Sequence, residues 1–477
     1  MNSTDRTASP EENLAFTSAL EQAELIRSKQ VSPLELTQLY LDRIEQLDPQ
    51  LGSFVTVARE SAIADAQAKT EHLTQTPPAD LPPFFGVPIS IKDLNAVAGL
   101  PQMCGTLALK DNIPEHDDGI VSKLKAAGCI ILGKTATSEM GSFPYTEPTG
   151  FFPTRNPWQL NYTSGGSSGG AATAVAAGLC AIGQGSDGGG SLRTPASCCG
   201  LVGLKPSRGR VSNAPIGEYP SGIASQGVLT RTVAETGAFL DIISGYITGD
   251  PYWLPDPETP FAQVIQEPIN SLKIAVSTAI PTIGQASEIC QQAVTQTGQH
   301  LETAGHHLED ACPDLTGLEQ SFTRVWASGI GASGLPLEAL SPVNRWLAQQ
   351  VGTAGDYLQA AWQMQVISRR IIAFFDQYDL LLLPVHLHSP PKVGEWADLS
   401  PQDTLDQIIQ WIAPCPLANA AGLPAIALPA TFDQQGVPIG IQLIGKPASE
   451  AMLLQVATQL EQLAPWTQHP PIATTEN

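Results

Sequence analysis

Two clusters of glycine and serine contain the residues of this chain that could do chemistry. The first, GGSSGG, occupies residues 165–170, and the second, GGGS, occupies residues 188–191. Serine hydroxyls are candidate nucleophiles and proton relays, and consecutive N–H groups of a glycine-rich turn can converge on an oxyanion. Between positions 161 and 200 only Asp187 and Arg193 carry charge. The pattern predicts a buried, tightly packed segment suited to acyl transfer.

A flexible Gly/Ser linker is the alternative interpretation of this composition. Between the two clusters, however, residues 171–177 read Ala-Ala-Thr-Ala-Val-Ala-Ala. This run is typical of a small-residue helix, with residues 167–170 as its cap and first turn. A linker would not carry such a run, so the sequence favours a packed segment.

A serine nucleophile needs a base, and histidine is the usual one. No histidine lies between His116 and His300, so the serine clusters have none nearby in sequence. His386 and His388 follow an apolar strand and could fold in, but the sequence offers them no orienting partner. They stay open as alternative bases.

A lysine can replace histidine when burial lowers its pKa. Lys92 ends a segment, residues 84–93, in which apolar and other residues alternate. The alternation places Ile89 and Ile91 on one face of a strand and Ser90 and Lys92 on the other. Lys92 is therefore predicted at a strand end. A lysine that pairs with Asp93 or reaches solvent is the alternative.

These motifs resemble the amidase signature family of serine hydrolases. The shared pattern is GGSSGG, then GSDGGGSLRTPA from residue 185, then GLVGLKPSRGRVS from residue 200. It extends upstream to GVPISIKD at residues 86–93 and TRNPW at residues 154–158. A looser match, GLPAIALP, lies at residues 422–429. The resemblance covers most of the chain.

The resemblance implies a Ser–Ser–Lys arrangement. It makes Ser191 the nucleophile, Ser167 the bridging serine and Lys92 the base. In the family a cis peptide bond precedes the bridging serine, which predicts a cis Gly166–Ser167 bond and Ser167 within hydrogen-bond reach of both partners. The N–H groups that resemble the family's oxyanion hole are those of Gly188, Gly189, Gly190 and Ser191. Asp187 and Arg193 are expected to be a buried pair that holds the loop in shape.

The implied reaction is hydrolysis of a carboxylic amide through an acyl-enzyme. Neutral Lys92 draws a proton from Ser167, which draws one from Ser191, and the relay then protonates the leaving amine. A nearby Asp93 carboxylate would favour the charged form of Lys92, so this carboxylate is expected to point away from the site.

The alternative function is that of the catalytic subunit of a glutamine amidotransferase, which supplies ammonia to a partner enzyme. Such subunits commonly carry a Tyr-Asp-Gly-Val-Arg-Tyr-Gly segment, which this chain lacks.

The elements that position these residues alternate between helix and strand along the chain. This order predicts an α/β fold, a single large domain with a mixed β-sheet covered by helices on both faces. Residues 1–13 are expected to be a disordered tail, and residues 14–477 one domain that opens with a helical layer. Predicted helices cover residues 14–30, 33–47, 58–73, 118–127, 171–177, 233–244, 288–308, 358–375 and 452–463. Predicted strands cover residues 54–57, 84–93, 129–132, 271–276, 380–383, 425–428 and 440–444.

Two short motifs suggest nucleotide binding but lie in the wrong context. Residues 128–135, GCIILGKT, fit the P-loop pattern, and residues 183–188 fit GxGxxG. A P-loop needs a strand before its first glycine and an open loop after it. In residues 128–135 a predicted helix precedes the first glycine, and Ile-Ile-Leu between the glycines favours a strand. The GxGxxG match follows a predicted helix and not the first strand of a βαβ unit. Neither motif therefore predicts a phosphate site.

Charge and cysteine usage narrow the remaining classes. The formal net charge is −22, which argues against nucleic acid and anionic membranes as partners. The eight cysteines include no CxxC pair, which gives no support for a zinc or thioredoxin-like site, and free thiols in a reducing compartment are favoured. No cofactor or metal is expected. Because residues 1–13 are polar and no long apolar run occurs, a cytoplasmic location is the expected default. A small-molecule amide is the expected partner, and a homodimer stays open. Candidate pocket residues are Met140, Phe143, Tyr145, Trp326 and Trp346.

Overall fold

The computed structural model describes residues 10–472, and their side chains from residue 13 onward. Residues 1–9 of the predicted tail lie outside the described residues. Residues 10–13 belong to the first helix, Pro10–Phe16, and not to a tail. The helices are α1 Pro10–Phe16, α2 Ala19–Arg27, α3 Pro33–Leu51, α4 Arg59–Gln75, α5 Gly119–Ala126, α6 Gly169–Ala176, α7 Arg193–Cys199, α8 Val233–Ile243, α9 Phe261–Val264, α10 Glu288–Thr303, α11 Leu318–Gly331, α12 Pro342–Gln349, α13 Ala354–Phe374, α14 Pro401–Ile412, α15 Pro416–Ala421 and α16 Glu450–Leu463.

Eleven strands of the described chain form one mixed sheet. Counting the two strands of a separate hairpin, the described residues form thirteen strands: β1 Phe54–Val57, β2 Pro88–Lys92, β3 Ile130–Thr135, β4 Ile182–Asp187, β5 Val202–Lys205, β6 Ser225–Thr230, β7 Lys273–Val276, β8 Ala279–Ile280, β9 Gly284–Gln285, β10 His307–Asp310, β11 Leu380–Pro384, β12 Ala425–Phe432 and β13 Pro438–Gly445. Their order is β1-β3-β2-β4-β6-β5-β12-β13-β11-β7-β10, and β8 and β9 form a separate two-stranded hairpin.

Both parallel and antiparallel pairs occur in this sheet. Strands β3, β2 and β4 run parallel to one another, and so do β11, β7 and β10, while the strands between these two groups pair antiparallel. Every residue of β2, β4 and β13 is buried. A strand is buried throughout only when both faces of its sheet are covered. The predicted α/β fold, with helices on both faces of a mixed sheet, is confirmed.

Local sequence signals explain where several elements begin. Ser32 and Glu35 form the predicted capping box at the start of α3: the Ser32 hydroxyl accepts the Glu35 N–H at 3.1 Å, and Glu35 accepts the Ser32 N–H at 2.9 Å. The small-residue helix α6 is buried along its whole length. Small side chains allow this close packing, because Ala171 and Val175 approach the backbone of Gly183 on β4.

The structure differs from the predicted elements at a few places. The predicted helix over residues 288–308 ends at Thr303, because a turn at Gly305, with φ of +93°, leads into strand β10. No element is predicted over residues 322–351, but this stretch contains most of α11 and all of α12. The elements not predicted from the sequence are strands β4, β5, β6, β8, β9 and β10 and helices α7, α9, α11, α12, α14 and α15.

Candidate active site

Strand β2 delivers Lys92 to the interior of the molecule. Lys92 is its last residue, as the alternation predicts, and its side chain is 0% exposed. Neighbouring strands β3 and β4 flank β2. The Lys92 N–H donates to Gln184 Oε1 of β4 at 3.1 Å, which fixes the strand end. The amine is therefore held in place and kept from solvent.

Three serine hydroxyls surround the Lys92 amine. Its Nζ lies 2.7 Å from Ser167 Oγ, 2.8 Å from Ser168 Oγ and 3.1 Å from Ser186 Oγ. Burial lowers the pKa of Lys92 to about 7, although the carboxylate of Asp187 acts in the opposite direction. A neutral amine can donate to two of these hydroxyls and accept a proton from the third. The geometry suits a buried base.

Ser167 lies where the first Gly/Ser cluster meets α6. The Gly166–Ser167 peptide bond is cis, as predicted. Gly166 fits tightly here, since a Cβ at this position would lie 2.8 Å from the Tyr145 backbone. Ser167 is 1% exposed and lines a cavity that also contains Ser191. Among the described residues, however, no hydrogen bond joins Ser167 to Ser191, so the second half of the predicted relay contact is not formed here.

Ser191 lies on the loop between β4 and α7. The loop begins after Asp187 and ends at Leu192, which precedes the first helical residue, Arg193. Gly190 has φ of +125°, and a Cβ there would lie 2.8 Å from Cys415 Cβ. Only glycine fits this position. The resulting turn leaves Ser191 partly exposed at the wall of the cavity.

The N–H groups of this loop divide into two sets. Gly190 donates to Asp187 Oδ1 at 2.7 Å and is buried. Since that donor is already used, Gly190 is removed from the predicted oxyanion-binding set. Gly188, Gly189 and Ser191 line the cavity, and their N–H groups make no hydrogen bond within residues 10–472. These three remain free to bind an oxyanion.

Asp187 and Arg193 form a buried pair behind the loop, as expected. Arg193 Nε donates to Asp187 Oδ2 at 3.0 Å, and its Nη2 donates to Oδ1 at 3.0 Å. Both residues are 0% exposed. Burial alone would raise the pKa of the Asp187 carboxyl, but Arg193 and Asn419 hold it well below its usual range. Asp187 thus stays charged and accepts the N–H groups that shape the loop.

Asp93 faces away from the Lys92 amine. Its Oδ1 lies 3.0 Å from Lys134 Nζ, and both side chains are buried. Its other oxygen accepts the Met103 N–H at 3.0 Å. Asp93 is therefore engaged elsewhere, in agreement with the expectation that it would not hold Lys92 charged. This pair also assigns Lys134 of the P-loop-like motif to the core, and β3 runs through that motif as a strand.

The cavity at Ser191 has a volume of about 260 Å³. Of the candidate pocket residues, Met140, Phe143 and Trp326 line it. Tyr145 and Trp346 lie outside its lining: Tyr145 stacks on Phe143 at 5.4 Å, and Trp346 packs against a separate cluster of apolar side chains. No Asp, Glu, Lys, Arg or His residue belongs to the lining. The cavity fits an uncharged ligand.

The two histidines considered as alternative bases lie elsewhere. His386 is 3% exposed, stacks on Trp411 at 4.5 Å, and burial lowers its pKa to about 3. His388 Nδ1 lies 2.8 Å from the Ser389 carbonyl oxygen. Neither residue lines the cavity at Ser191. Lys92, in contrast, lies 2.7 Å from the hydroxyl oxygen of Ser167, which does line that cavity.

Sequence analysis missed three residues near the site. Ser168 and Ser186 contact the Lys92 amine, although only their positions beside Ser167 and Asp187 pointed to them. Lys205 is a second buried lysine whose pKa burial lowers to about 7. Its Nζ donates to the Pro206 carbonyl at 2.7 Å, and it does not line the cavity. Within the described residues no group of three His, Cys, Asp or Glu side chains could hold a metal ion.

Comparisons with known proteins identify the family of this chain. The family model described as Amidase matches residues 35–454. A Synechocystis sp. protein, whose name assigns it to the amidases without giving a substrate, is 58% identical over 446 residues, which are 93% of this chain and 88% of that protein. No helix of the described chain is long and apolar enough to cross a membrane.

Two solved structures are similar over almost the whole chain. A 6-aminohexanoate cyclic dimer hydrolase complexed with substrate superposes with a TM-score of 0.89 at 29% identity, covering 96% of this chain and 99% of that one. A bacterial aryl acylamidase of the amidase signature enzymes superposes with a TM-score of 0.87 at 26% identity, covering 98% and 100%.

Proposed function

Because this chain belongs to the amidase family and hydrolyses carboxylic amide C–N bonds, we propose that it does so through an acyl-enzyme on Ser191. Ser167 and Lys92 form the proton relay in this proposal. The observation that carries it is the buried Lys92 amine, 2.7 Å from Ser167 Oγ, beside the cavity that contains Ser191. The substrate is a small neutral amide.

The first half of the reaction forms the acyl-enzyme. Lys92, neutral at a pH above about 7, accepts the Ser167 hydroxyl proton, and Ser167 accepts that of Ser191 as Ser191 Oγ attacks the carbonyl carbon. Closing the contact between Ser167 and Ser191 requires the Ser191 side chain to turn, and its partial exposure leaves room for that. The N–H groups of Gly188, Gly189 and Ser191 stabilise the oxyanion.

The second half returns the proton and releases the acid. The relay runs in reverse, from protonated Lys92 through Ser167 to the leaving nitrogen, because the amine is a very poor leaving group unless it is protonated. Water then attacks the Ser191 ester, with the same relay as general base, and the carboxylic acid is released. The Asp187–Arg193 pair keeps the loop shape during both steps and does not contact the substrate.

The substrate proposal rests on the cavity and on the relatives. The lining carries no charged side chain, so a charged group next to the amide would be desolvated without a partner. The named relatives act on a 6-aminohexanoate cyclic dimer and on aryl acylamides. Both names agree with an uncharged amide as substrate here.

Incubation of the purified chain alone with a panel of neutral and charged amides tests this proposal. We expect the lone chain to release amine or ammonia from neutral amides, and Ser191→Ala to abolish this release. Turnover only with glutamine in the presence of a second protein would favour the amidotransferase alternative. Two features of this chain argue against the amidotransferase alternative. The chain lacks the Tyr-Asp-Gly-Val-Arg-Tyr-Gly segment common in such subunits, and its net negative charge would repel tRNA.

We further propose a cytoplasmic location for this enzyme. All eight cysteines are free, and burial raises the pKa of several, including Cys129 to about 12. Thiols of this kind persist in a reducing compartment. Localisation of a tagged chain by cell fractionation tests this, and recovery from an oxidising compartment would contradict it.

A homodimer is proposed from an exposed stripe on α13. Leu358, Trp362 and Val366 are 46%, 63% and 56% exposed and lie one helical turn apart. No Asp or Glu occurs between residues 357 and 375, in a chain of net charge −22. In an antiparallel pair of α13 helices centred beside Trp362, the two apolar stripes would cover each other. Because this stretch carries no carboxylate, two copies can approach here without the acidic repulsion expected elsewhere on the chain, which favours a second copy as the occupant.

Sedimentation velocity over a concentration series tests the dimer. We expect a wild-type dimer that Trp362→Glu converts to a monomer. Trp253→Glu, at another exposed tryptophan (55%), is the matched control and keeps the dimer. A wild-type monomer at all concentrations, or a dimer that Trp362→Glu does not dissociate, would overturn the assignment. If the monomeric wild type instead binds neutral lipid vesicles, the stripe is a membrane-binding surface.

A further inference from the structure

A second cavity lies beside the one that contains Ser191. It has a volume of about 200 Å³ and is bounded by the β8–β9 hairpin, the start of α11 and the end of α14. Phe322, Trp326 and Ile412 line both cavities. The two spaces are therefore neighbours separated by the same three residues. We refer to the second space as the distal cavity.

The residues shared by the two cavities come from helices α11 and α14. Phe322 and Trp326 lie one turn apart on α11, and Ile412 is the last residue of α14. The Phe322 ring approaches the nucleophile loop closely, since a Cβ on Gly189 would lie 3.5 Å from it. Rotation of such side chains opens a passage without breaking any backbone hydrogen bond. A ligand bound at Ser191 would meet this wall directly.

The chemistry of the distal cavity matches that of the cavity at Ser191. Its wall includes Ile280, Ile283, Leu315, Leu318 and Ile408, and the one charged side chain in it is Glu319. Glu319 is exposed, at the outer edge of this space. Apolar walls of this kind exclude charged and strongly hydrated groups and favour hydrocarbon.

We propose that the distal cavity is a subsite for an apolar substituent of the amide substrate. The substituent, an alkyl chain or an aromatic ring, passes the wall formed by Phe322, Trp326 and Ile412 while the amide carbonyl lies at Ser191. This subsite narrows the substrate class to amides with an extended hydrophobic group. The inference rests on the proposed function, because it places the reacting carbonyl at Ser191.

Two series of neutral amides test the subsite. The first varies the acyl chain of anilides from acetyl to decanoyl, and the second varies the alkyl chain of N-alkylacetamides over the same length. We expect kcat/KM to rise in one of the two series, by about fourfold for each methylene group that enters the distal cavity. A profile that is flat or falls with length in both series would overturn the proposal.

Variants that fill the distal cavity give the decisive comparison. Thr323 and Ile283 line the distal cavity but not the cavity at Ser191, and both are partly exposed, which leaves room for a larger side chain. Thr323→Trp and, independently, Ile283→Trp should lower the ratio of kcat/KM for the longest over the shortest amide by about tenfold or more. Thr323→Ser is the matched control that keeps the ratio.

The shortest amide separates failure of this inference from failure of the proposed function. Turnover of acetanilide that Ser191→Ala abolishes, together with length ratios equal in wild type and both tryptophan variants, would overturn the subsite alone. Absence of turnover with every amide in both series would overturn the proposed function and the subsite with it. Thermal melting of each variant confirms that the fold is intact.

Discussion

The amine of Lys92 lies 2.7 Å from the hydroxyl oxygen of Ser167, and neither side chain is more than 1% exposed. A charged amine in such a place would lose its hydration, which favours the neutral form. The Asp93 carboxylate, which could reverse this effect, is engaged by Lys134 at 3.0 Å. Burial thus favours at Lys92 the neutral form that a base needs.

The first prediction concerns the pH dependence of amide hydrolysis. Because Lys92 acts in its neutral form and its pKa is about 7, kcat/KM should rise about tenfold per pH unit below that value and reach a plateau above it. Initial rates with a neutral anilide between pH 5 and 10 measure the profile.

Two lysine variants provide the controls for this profile. Lys92→Ala should remove the ionisation and most of the turnover. Lys205→Met should keep the ionisation, although the pKa of Lys205 is also lowered to about 7, because Lys205 does not line the cavity. Near-normal turnover by Lys92→Ala with an unchanged profile would rule out the lysine base.

The second prediction concerns the relay hydroxyl. Ser167→Ala should lower kcat less than Ser191→Ala does, because a water molecule can partly replace the lost hydroxyl between Lys92 and Ser191. Single-turnover rates of the two variants with the same amide give the comparison. Equal loss in both variants would show that water cannot substitute, and full activity of Ser167→Ala would exclude a relay through this residue.

The third prediction concerns Ser186, whose Oγ lies 3.1 Å from Lys92 Nζ. This hydroxyl accepts a hydrogen bond that stabilises the charged ammonium more than the neutral amine. Ser186→Ala should therefore shift the ionisation in the pH profile to lower pH, while Ser122→Ala on the distant helix α5 should leave it in place. A shift to higher pH would contradict this account of the Lys92 environment.

The fourth prediction concerns the stability that the Asp187–Arg193 pair provides. Asp187→Asn leaves the fully buried Arg193 without its counter-charge, which should lower the free energy of unfolding by about 3–5 kcal/mol. Asp117→Asn, which breaks the exposed pair with Lys125, should cost about 1 kcal/mol or less. Urea unfolding measures both values. A similar, small cost for the two variants would contradict a structural role for Asp187.

Residue type and spacing predicted much of the chemistry of this site. The alternation before Lys92 placed it at a strand end, and the family resemblance identified the cis bond before Ser167. The use of the Gly190 N–H by Asp187 could not be predicted in this way, because it depends on how the loop folds back on its own carboxylate. Ser168 and Ser186 lie 18 residues apart, and only the packing of α6 against β4 brings both to Lys92.

The elements around the cavity were harder to predict than the central strands. Strand β11 is a short apolar run and strand β2 alternates apolar residues with Ser90 and Lys92, and both patterns are clear strand signals in the sequence. Helix α11 was not predicted, although its buried side chains Leu318, Phe322 and Val325 repeat at helical spacing. The distal cavity has no local signal at all, because its wall combines residues from α11, α14 and the β8–β9 hairpin.

The central claim is that Ser191 carries the acyl group, and mass spectrometry of the trapped intermediate tests it most directly. Wild-type enzyme mixed with a slowly hydrolysed neutral ester or a fluorophosphonate, acid-quenched and digested, should carry one adduct, on the peptide that contains Ser191. Ser191→Ala should carry none. An adduct on another residue, or equal labelling of wild type and Ser191→Ala, would contradict the account.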